Sequence, residues 1–245
     1  MLITFINLLR LVVFMVIGRV KREKISCIVP AYNEGERIGG VLRILEKSPF
    51  IDEIIVVDDA STDNTSEVAR RFKRVRLIRH KKNKRKTAAV IGAVKIAKYP
   101  LIMLIDADLI GLSLKDIENL AEPVVLGEAD MSVSLRGNSL RIFKMWGLDF
   151  VSGERVFKKT LFGNLNDFKK LPGFGLESFL NSKVIKKGLR VKVVLWPGVS
   201  HARKAEKMGF FRGQKEDVSM FFQIVRVLGV RGIFYQIRKL RKLRV

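Results

Sequence analysis

The chain predicts an α/β domain built on a mostly parallel sheet with helices on both faces. Two observations predict it. Apolar runs alternate with helix-spaced segments at the spacing of β-α-β units, and those runs are continuous rather than alternating in polarity, as strands buried on both faces require. The 245 residues give length for one large domain or two small ones, and a 48% hydrophobic fraction excludes a disordered chain.

The elements follow in order. KISCIVPAYNE holds a buried strand at 25–30 that ends in a loop. RIGGVLRILEKS is helical, with Ile38, Val41, Leu42 and Leu45 on one face. DEIIVVDDAS carries a second buried strand at 53–58, NTSEVARRFKR a helix, and VRLIRH a short strand. KTAAVIGAVKIAK is a strong helix pattern, and PLIMLIDAD is a strand ending in acids. From about residue 123 the pattern is less regular. ADMSVSL reads as a strand, GLDFVSGERVFKK is mixed with SGER as a turn, PGFGLESFLNSKVIKKG passes from a glycine loop into a helix, and LRVKVVLWPGVSHARK is a strand followed by a basic loop.

The polar residues then fall at strand ends. Asn33 and Glu34 follow the first strand, Asp58 and Asp59 end the second, and Asp106 and Asp108 end the fourth. A turn explains any one of these acids. Acids from separate tips converging on one rim point instead to a ligand site, because such sheets bind ligands at the carboxyl ends of their strands. The pair Asp106 and Asp108 is also suited to a cation that takes oxygen ligands.

Charge narrows the partners. Lys+Arg number 47 against 24 Asp+Glu, a net charge of +23, which calls for nucleic acid, an anionic membrane or phosphorylated substrates. The single cysteine, Cys27, excludes an intrachain disulfide and a cysteine-based zinc site, and fits a cytoplasmic setting. Residues 2–18 are apolar around Arg10, slightly short for a span, followed by RVKREK and without a small-x-small cleavage pattern. Residues 1–22 are expected to form a membrane-associating helix lying in or dipping into the cytoplasmic leaflet, with packing on the domain as the alternative. At the other end, Phe221, Ile224, Val225 and Leu228, then Phe234, Ile237 and Leu240, recur at helical spacing among cations, with no acid after Asp217. Residues 213–245 therefore read as a basic amphipathic helical tail on an anionic membrane, against the alternatives of a helix covering the domain or a nucleic-acid arm. No recognised RNA or DNA motif is present, and nucleic acid is not the expected partner.

IVPAYNE at 28–34, VVDDASTDNT at 56–65, NKRKTAAVIGAVKIAK at 83–98 and LIDADL at 104–109 together resemble the family 2 glycosyltransferases with the GT-A fold, over roughly residues 24–125. The stretch 172–209 is similar to that of polyprenyl-phosphate sugar transferases of the dolichol-phosphate mannose synthase type. It is also similar to that of glucosyl-3-phosphoglycerate synthases, whose Gly-aromatic-Gly-x-Glu loop and metal-binding histidine correspond to Gly173, Phe174, Gly175, Glu177 and His201. Three departures stand out. Arg85-Lys86-Thr87 replaces the family's Gly-Lys-Gly, giving a stiffer and more cationic loop. Ile110 stands where polyprenyl-phosphate transferases often carry Gln. The Gln-x-x-Arg-Trp motif of processive polymerases is absent.

The resemblance implies a catalytic domain over 23–212 that uses a nucleotide-diphospho-sugar and Mg²⁺ or Mn²⁺. It implies Asp108 as first metal ligand, Asp106 on the ribose or on metal-bound water, and His201 as a further ligand. Asp58 or Asp59 would accept hydrogen bonds from the base, with Pro30, Ala31, Tyr32 and Glu34 around it, and Arg85 and Lys86 would sit against the diphosphate. Glu177 would be the general base for a hydroxyl acceptor. For a polyprenyl phosphate, already anionic, it would orient the sugar or a cation instead; its structural alternative is an acid favoured near a helix N-terminus. Arg203, Lys204 and Lys207 would cradle an acceptor phosphate, or form a solvated surface run. The function so implied is direct transfer with inversion to a lipid-linked phosphate at the cytoplasmic membrane face. The alternatives are a retaining transferase of the glucosyl-3-phosphoglycerate type with a soluble phosphorylated acceptor, and a non-catalytic basic membrane- or RNA-binding adaptor.

Overall fold

The structure, a computed structural model, describes residues 22–168, 175–201, 225 and 228–245. Strands β1 (Ile25–Ala31), β2 (Glu53–Asp58), β3 (Val75–Arg79) and β4 (Leu101–Leu104) run parallel in the order β3-β2-β1-β4. Their connections are α1 (Ile38–Lys47), α2 (Thr65–Arg70) and α3 (Arg85–Ile96). The continuous apolar runs are buried on both faces because successive side chains alternate between two cores. Cys27, Val29, Ile54, Val56, Leu101 and Met103 join α1 and α4 (Leu114–Val125) on one side. Ile28, Ile55, Val57, Ile102 and Leu104 join α3 on the other. A capping box opens α4, where Ser113 Oγ accepts from Asp116 N–H and the Asp116 carboxylate accepts from Ser113 N–H.

The sheet continues past β4 as β7 (Arg155–Lys158), β6 (Met131–Arg136) and β8 (Val191–Trp196), with α5 (Arg141–Trp146) before β7 and α6 (Gly175–Lys187) after it. The strands expected in ADMSVSL and LRVKVVLW are β6 and β8, paired parallel. The mixed stretch GLDFVSGERVFKK is a correction: it holds β7, antiparallel to both β4 and β6. Arg155 disguised it. This arginine is fully buried, and its guanidinium donates to the Ser152 carbonyl and to Asn181 Oδ1 (3.1 Å), so a charged residue occupies a core strand with its donors satisfied. A further antiparallel ladder joins β5 (Leu109–Ile110) to β9 (Ser200–His201).

The expected tail is also corrected. A helix at 228–242, here α7, lies on the domain with Ile237 and Leu240 in the core shared with Leu180 and Val184 of α6. Buried Gln236 donates to the Ser178 carbonyl and to Ser182 Oγ, both at 3.0 Å, and accepts from Asn181 Nδ2 at 3.3 Å. Beyond it, Val191 N–H donates to Leu243 O and Val245 N–H to Val191 O. The apolar stripe read as lipid-facing is thus partly spent on protein, and residues 228–245 belong to the domain rather than to a tail beginning at 213. The earlier part of that segment, 202–224, and the expected N-terminal helix, 1–21, lie outside the described residues. Among the described residues no helix is long and apolar enough to cross a membrane. Leu240→Ala is expected to destabilise the fold by about 2–5 kcal/mol, as for other fully buried leucines, in urea unfolding; a change near zero would mean that α7 is not part of the core.

Candidate functional site

Because helices cover both faces of the sheet, its open surface is the carboxyl edge, and the tips of β1, β2 and β4 meet there. They line a cavity of about 370 Å³ with Pro30, Ala31, Tyr32, Glu34, Asp59, Asp106 and Asp108, joined by Arg85 and Lys86 at the start of α3. Two loops brace one wall. Asn33, at φ 55°, donates its N–H to Ser61 Oγ and accepts from Thr62 N–H, both at 2.9 Å. Glu34 N–H reaches Thr65 Oγ1 and Gly35 N–H reaches Asp63 Oδ2. The STDNT segment is therefore scaffolding for the loop after β1.

The structure separates the two acids that end β2. Asp58 is 0% exposed and is absent from the cavity wall; it accepts from Ser61 N–H (2.8 Å) and Ser66 Oγ, and holds the turn into α2. Asp59 faces the cavity. Its carboxylate accepts from Lys84 N–H at 2.9 and 3.0 Å and pairs with His80 Nδ1 at 2.7 Å. His80 carried no motif in the sequence; only its scarcity, as one of two histidines, marked it.

The floor is ionic. Lys86 Nζ lies 2.7 Å from Asp106 Oδ1 and 3.1 Å from Glu177 Oε1. Burial pushes Lys86 down, but Asp106 and Glu177 hold its ammonium well above the ordinary lysine range. Burial pushes Asp106 up, but Lys86, then Arg136 and His201, hold it below the ordinary carboxylate range. Glu177 Oε2 is buried with no hydrogen-bond partner among the described residues. Gly153 makes room for the pair: a Cβ there would stand 2.6 Å from Asp106 Oδ2 and 2.7 Å from Lys86 Nζ. Behind it, Arg136 Nη1 contacts both Glu154 oxygens at 2.6 and 2.7 Å. Sequence reading took SGER for a turn and missed Gly153, whose requirement is set by neighbours distant in the chain.

The ladder between β5 and β9 pairs His201 with Leu109, next to Asp108. Asn138 Nδ2 lies 3.4 Å from His201 Nδ1 and 3.3 Å from its carbonyl oxygen. Two carboxylates and an imidazole suit a hard divalent cation such as Mg²⁺ or Mn²⁺ in donor type. Among the described residues, no three acid, histidine or cysteine groups converge to hold an ion, and Asp106 here turns Oδ1 to Lys86. Gly173, Phe174, Arg203, Lys204 and Lys207 lie outside the described residues.

Known proteins agree with the fold and the motifs. A family model described as Glycosyl transferase family 2 matches residues 26–179. The chain belongs to glycosyl transferase family 2. An uncharacterized protein of Methanocaldococcus jannaschii is 31% identical over 164 residues, covering 65% of this chain and 58% of its own length. The chain therefore spans a little over half of that relative. Dodecaprenyl-phosphate galacturonate synthase of Rhizobium johnstonii is 28% identical over 148 residues, covering 55% of this chain and 44% of that protein. Among solved structures, glucosyl-3-phosphoglycerate synthase from Mycobacterium tuberculosis, in complex with Mn²⁺, uridine-diphosphate and glucosyl-3-phosphoglycerate, superposes with a TM-score of 0.63 at 21% identity. It covers 82% of this chain and 80% of that one, a likeness of fold.

One departure from the family's glycine-lysine-glycine has a structural cost. Arg85 sits at φ 68°, in the left-handed region that glycine occupies freely. Relief of that strain, on the order of 1–2 kcal/mol, is partly offset by the added chain entropy of glycine, about 0.4–1 kcal/mol. Arg85→Gly is therefore expected to leave stability unchanged or raise it by up to about 1.6 kcal/mol, while weakening nucleotide binding; calorimetry on the same sample reads both. Gly153→Ala is expected to cost about 1–3 kcal/mol through overpacking and to weaken nucleotide binding with it, and full retention of both would show that the Lys86–Asp106 pair has room to shift.

Proposed function

We propose that this protein transfers a sugar from a nucleotide-diphospho-sugar to a polyprenyl phosphate or other lipid-linked phosphate at the cytoplasmic face of a membrane. The observation that supports it best is the single cavity in which Asp59, the cations Arg85 and Lys86, and the acids Asp106 and Asp108 meet from three strand tips. Asp59, already held by Lys84 and His80, accepts from an N–H of the base between Pro30, Ala31 and Tyr32. Arg85 and Lys86 meet the diphosphate, where charge-assisted bonds are strong. Asp108, Asp106 and His201 are the residues that would hold Mg²⁺ or Mn²⁺, which supplies Lewis-acid stabilisation of charge on the leaving diphosphate. In the transfer the bond from the anomeric carbon to the diphosphate oxygen breaks, and its electron pair leaves with the nucleoside diphosphate. An acceptor phosphate oxygen bonds to the same carbon from the opposite side.

Glu177 supports a phosphate acceptor. A hydroxyl acceptor needs a base, whereas a phosphate arrives deprotonated. The Glu177 carboxylate is tied to Lys86 through Oε1, and in this reading its second oxygen, buried and unpartnered among the described residues, would orient a donor hydroxyl. The relative named for a dodecaprenyl-phosphate product supports the same class. A second reading, a retaining transferase with a soluble phosphorylated acceptor, is favoured by His201 standing across from Leu109.

The test is nucleotide release by the purified full chain with Mn²⁺ over a panel of nucleotide-sugars, with polyprenyl phosphate in one arm and 3-phosphoglycerate in the other. Release with the lipid alone is expected. Release with phosphoglycerate alone would install the second reading. Asp108→Ala is expected to lower turnover about 10²–10³-fold, the loss typical of removing a stabiliser of developing charge. A wild-type protein that binds no nucleotide with either metal would overturn the enzyme reading altogether.

A further inference from the structure

We infer that the outer face of α7, together with α5, is a docking surface for an anionic lipid bilayer. The inference takes from the proposal above only a site of action at a membrane, and it is independent of which donor and acceptor are used.

The two sides of α7 have different fates. Gln236, Ile237 and Leu240 are spent on the domain. On the opposite side Phe234, Arg238, Arg241 and Lys242 recur at helical spacing, and with Trp146 of α5 and the flank of Ile237 they line a groove of about 450 Å³. The Phe234 and Trp146 rings meet edge to face at 6.2 Å, which makes the wall continuous between the two helices. Phe234 is nevertheless 58% exposed, Val230 56%, and Met145 83%. Ile142, Met145 and Trp146 stand three and four residues apart on α5, and α5 buries no residue fully. Apolar side chains at this density on the outside of a domain mark a surface that is used.

The charge says by what. After Asp217 the chain has seven Lys and Arg and no acid. Arg238, Arg241 and Lys242 make no ion pair among the described residues, whereas Arg22, Arg136 and Arg190 each do. A nucleic acid would satisfy the cations but gives Ile142, Met145 and Val230 nothing to pack on. A protein partner would need an acidic row set beside an apolar one. A bilayer with anionic headgroups offers phosphate at one depth and acyl chains just below it, which is the order in which cations with long apolar stems and aromatic rings settle at an interface. The described residues 228–242 of α7 span about 22 Å by the rise of 1.5 Å per residue, and Ile237 and Leu240 seat them on the domain core.

The placement has a mechanical side. Gln236 ties α7 to Ser178 and Ser182 of α6, the helix whose first turn carries Glu177. Whatever seats on the outer face of α7 is thereby held in a fixed relation to the floor of the cavity.

The test uses the full chain and co-sedimentation with vesicles of phosphatidylcholine, with and without phosphatidylglycerol. Each basic residue at an anionic surface changes partition about fivefold. The double variant Arg238→Glu with Arg241→Glu is therefore expected to weaken binding to the anionic vesicles by at least about tenfold. The control Lys186→Glu with Lys187→Glu carries the same change in net charge on exposed positions of α6, and is expected to weaken it less than about threefold. Met145→Asp, at a position too exposed to matter for folding, is expected to weaken binding with charge on the basic face intact. Nucleotide binding by all variants, unchanged, reports that the fold persists. Equal losses in the two double variants would reduce the effect to net charge and overturn the inference, and so would binding unchanged in all of them. A patch whose substitution dissociates a dimer, or abolishes RNA binding while vesicle binding persists, would assign the face to those partners instead.

Discussion

The ammonium of Lys86 ties together, at the cavity floor, three parts of the chain that are distant in sequence. It comes from α3, Asp106 from the end of β4, and Glu177 from α6, and Gly153 clears the space beneath them. Both carboxylates take the same ammonium as partner, and removing it would leave the buried Glu177 without its ion pair. Lys86 is therefore structural before any ligand arrives. In the proposed reaction it is also, with Arg85, one of the two cations that would meet the diphosphate. The donor would then compete with Asp106 and Glu177 for the same ammonium, and Asp106 released from it would be available to a divalent ion.

The placement of that cluster follows from the sheet. With both faces under helices, polar groups can gather at low cost only where strands end, and a shift of one residue at such an end decides the role. Asp58, the last residue of β2, points into protein and braces a turn, whereas Asp59, one step later, faces the cavity. On the other side of β4 the sheet changes direction. The antiparallel β7 brings Gly153, Glu154 and Arg155 up to the cavity floor, where Glu154 neutralises Arg136 and Arg155 is held by Ser152 and Asn181. Burial raises the carboxyl of Asp149 beyond them, against the pull of Arg136. Such a network is costly unless nearly every donor is met, which explains why so many small serines line it.

The parallel half of the fold was legible in the sequence because its signal is local. Four apolar runs, three helix patterns and three polar strand ends sufficed to put Asp59, Asp106 and Asp108 on one rim, and the family resemblance added Arg85 and Lys86. The rest depends on partners far apart in the chain. β7 is four residues long with a buried arginine in it, so neither length nor polarity announces a strand. Gly153 reads as a turn glycine until Asp106 and Lys86 are placed beside it. His80 has no motif because its role is to orient Asp59, and the β5–β9 ladder that sets His201 near Asp108 is two residues long on each side. For α7 the helical period was clear, but a stripe that can face lipid can equally face protein. Only the positions of Leu180 and Val184 decide between them.

A charge of +23 is often read as the signature of one anionic ligand, and magnitudes argue against that here. Among the described residues two cations, Arg85 and Lys86, line the cavity. At physiological ionic strength exposed charges are screened beyond about 8 Å, so the cations scattered over the rest of the surface contribute little to holding a donor once it is bound. Part of Lys86 is already neutralised by Asp106 and Glu177, which leaves Arg85 as the less encumbered cation at the diphosphate. In the proposed reaction that gives a reason to tolerate a left-handed arginine where glycine would be relaxed: a charge-assisted bond to phosphate, about 1.5–3 kcal/mol, would match or exceed the strain, on the order of 1–2 kcal/mol. The bulk of the positive charge must then act on something larger than a nucleotide. Among the described residues Lys and Arg are densest at 70–86, which holds eleven and leads into the cavity; α7 is a second acid-free run, and it is the one that stands beside exposed apolar side chains.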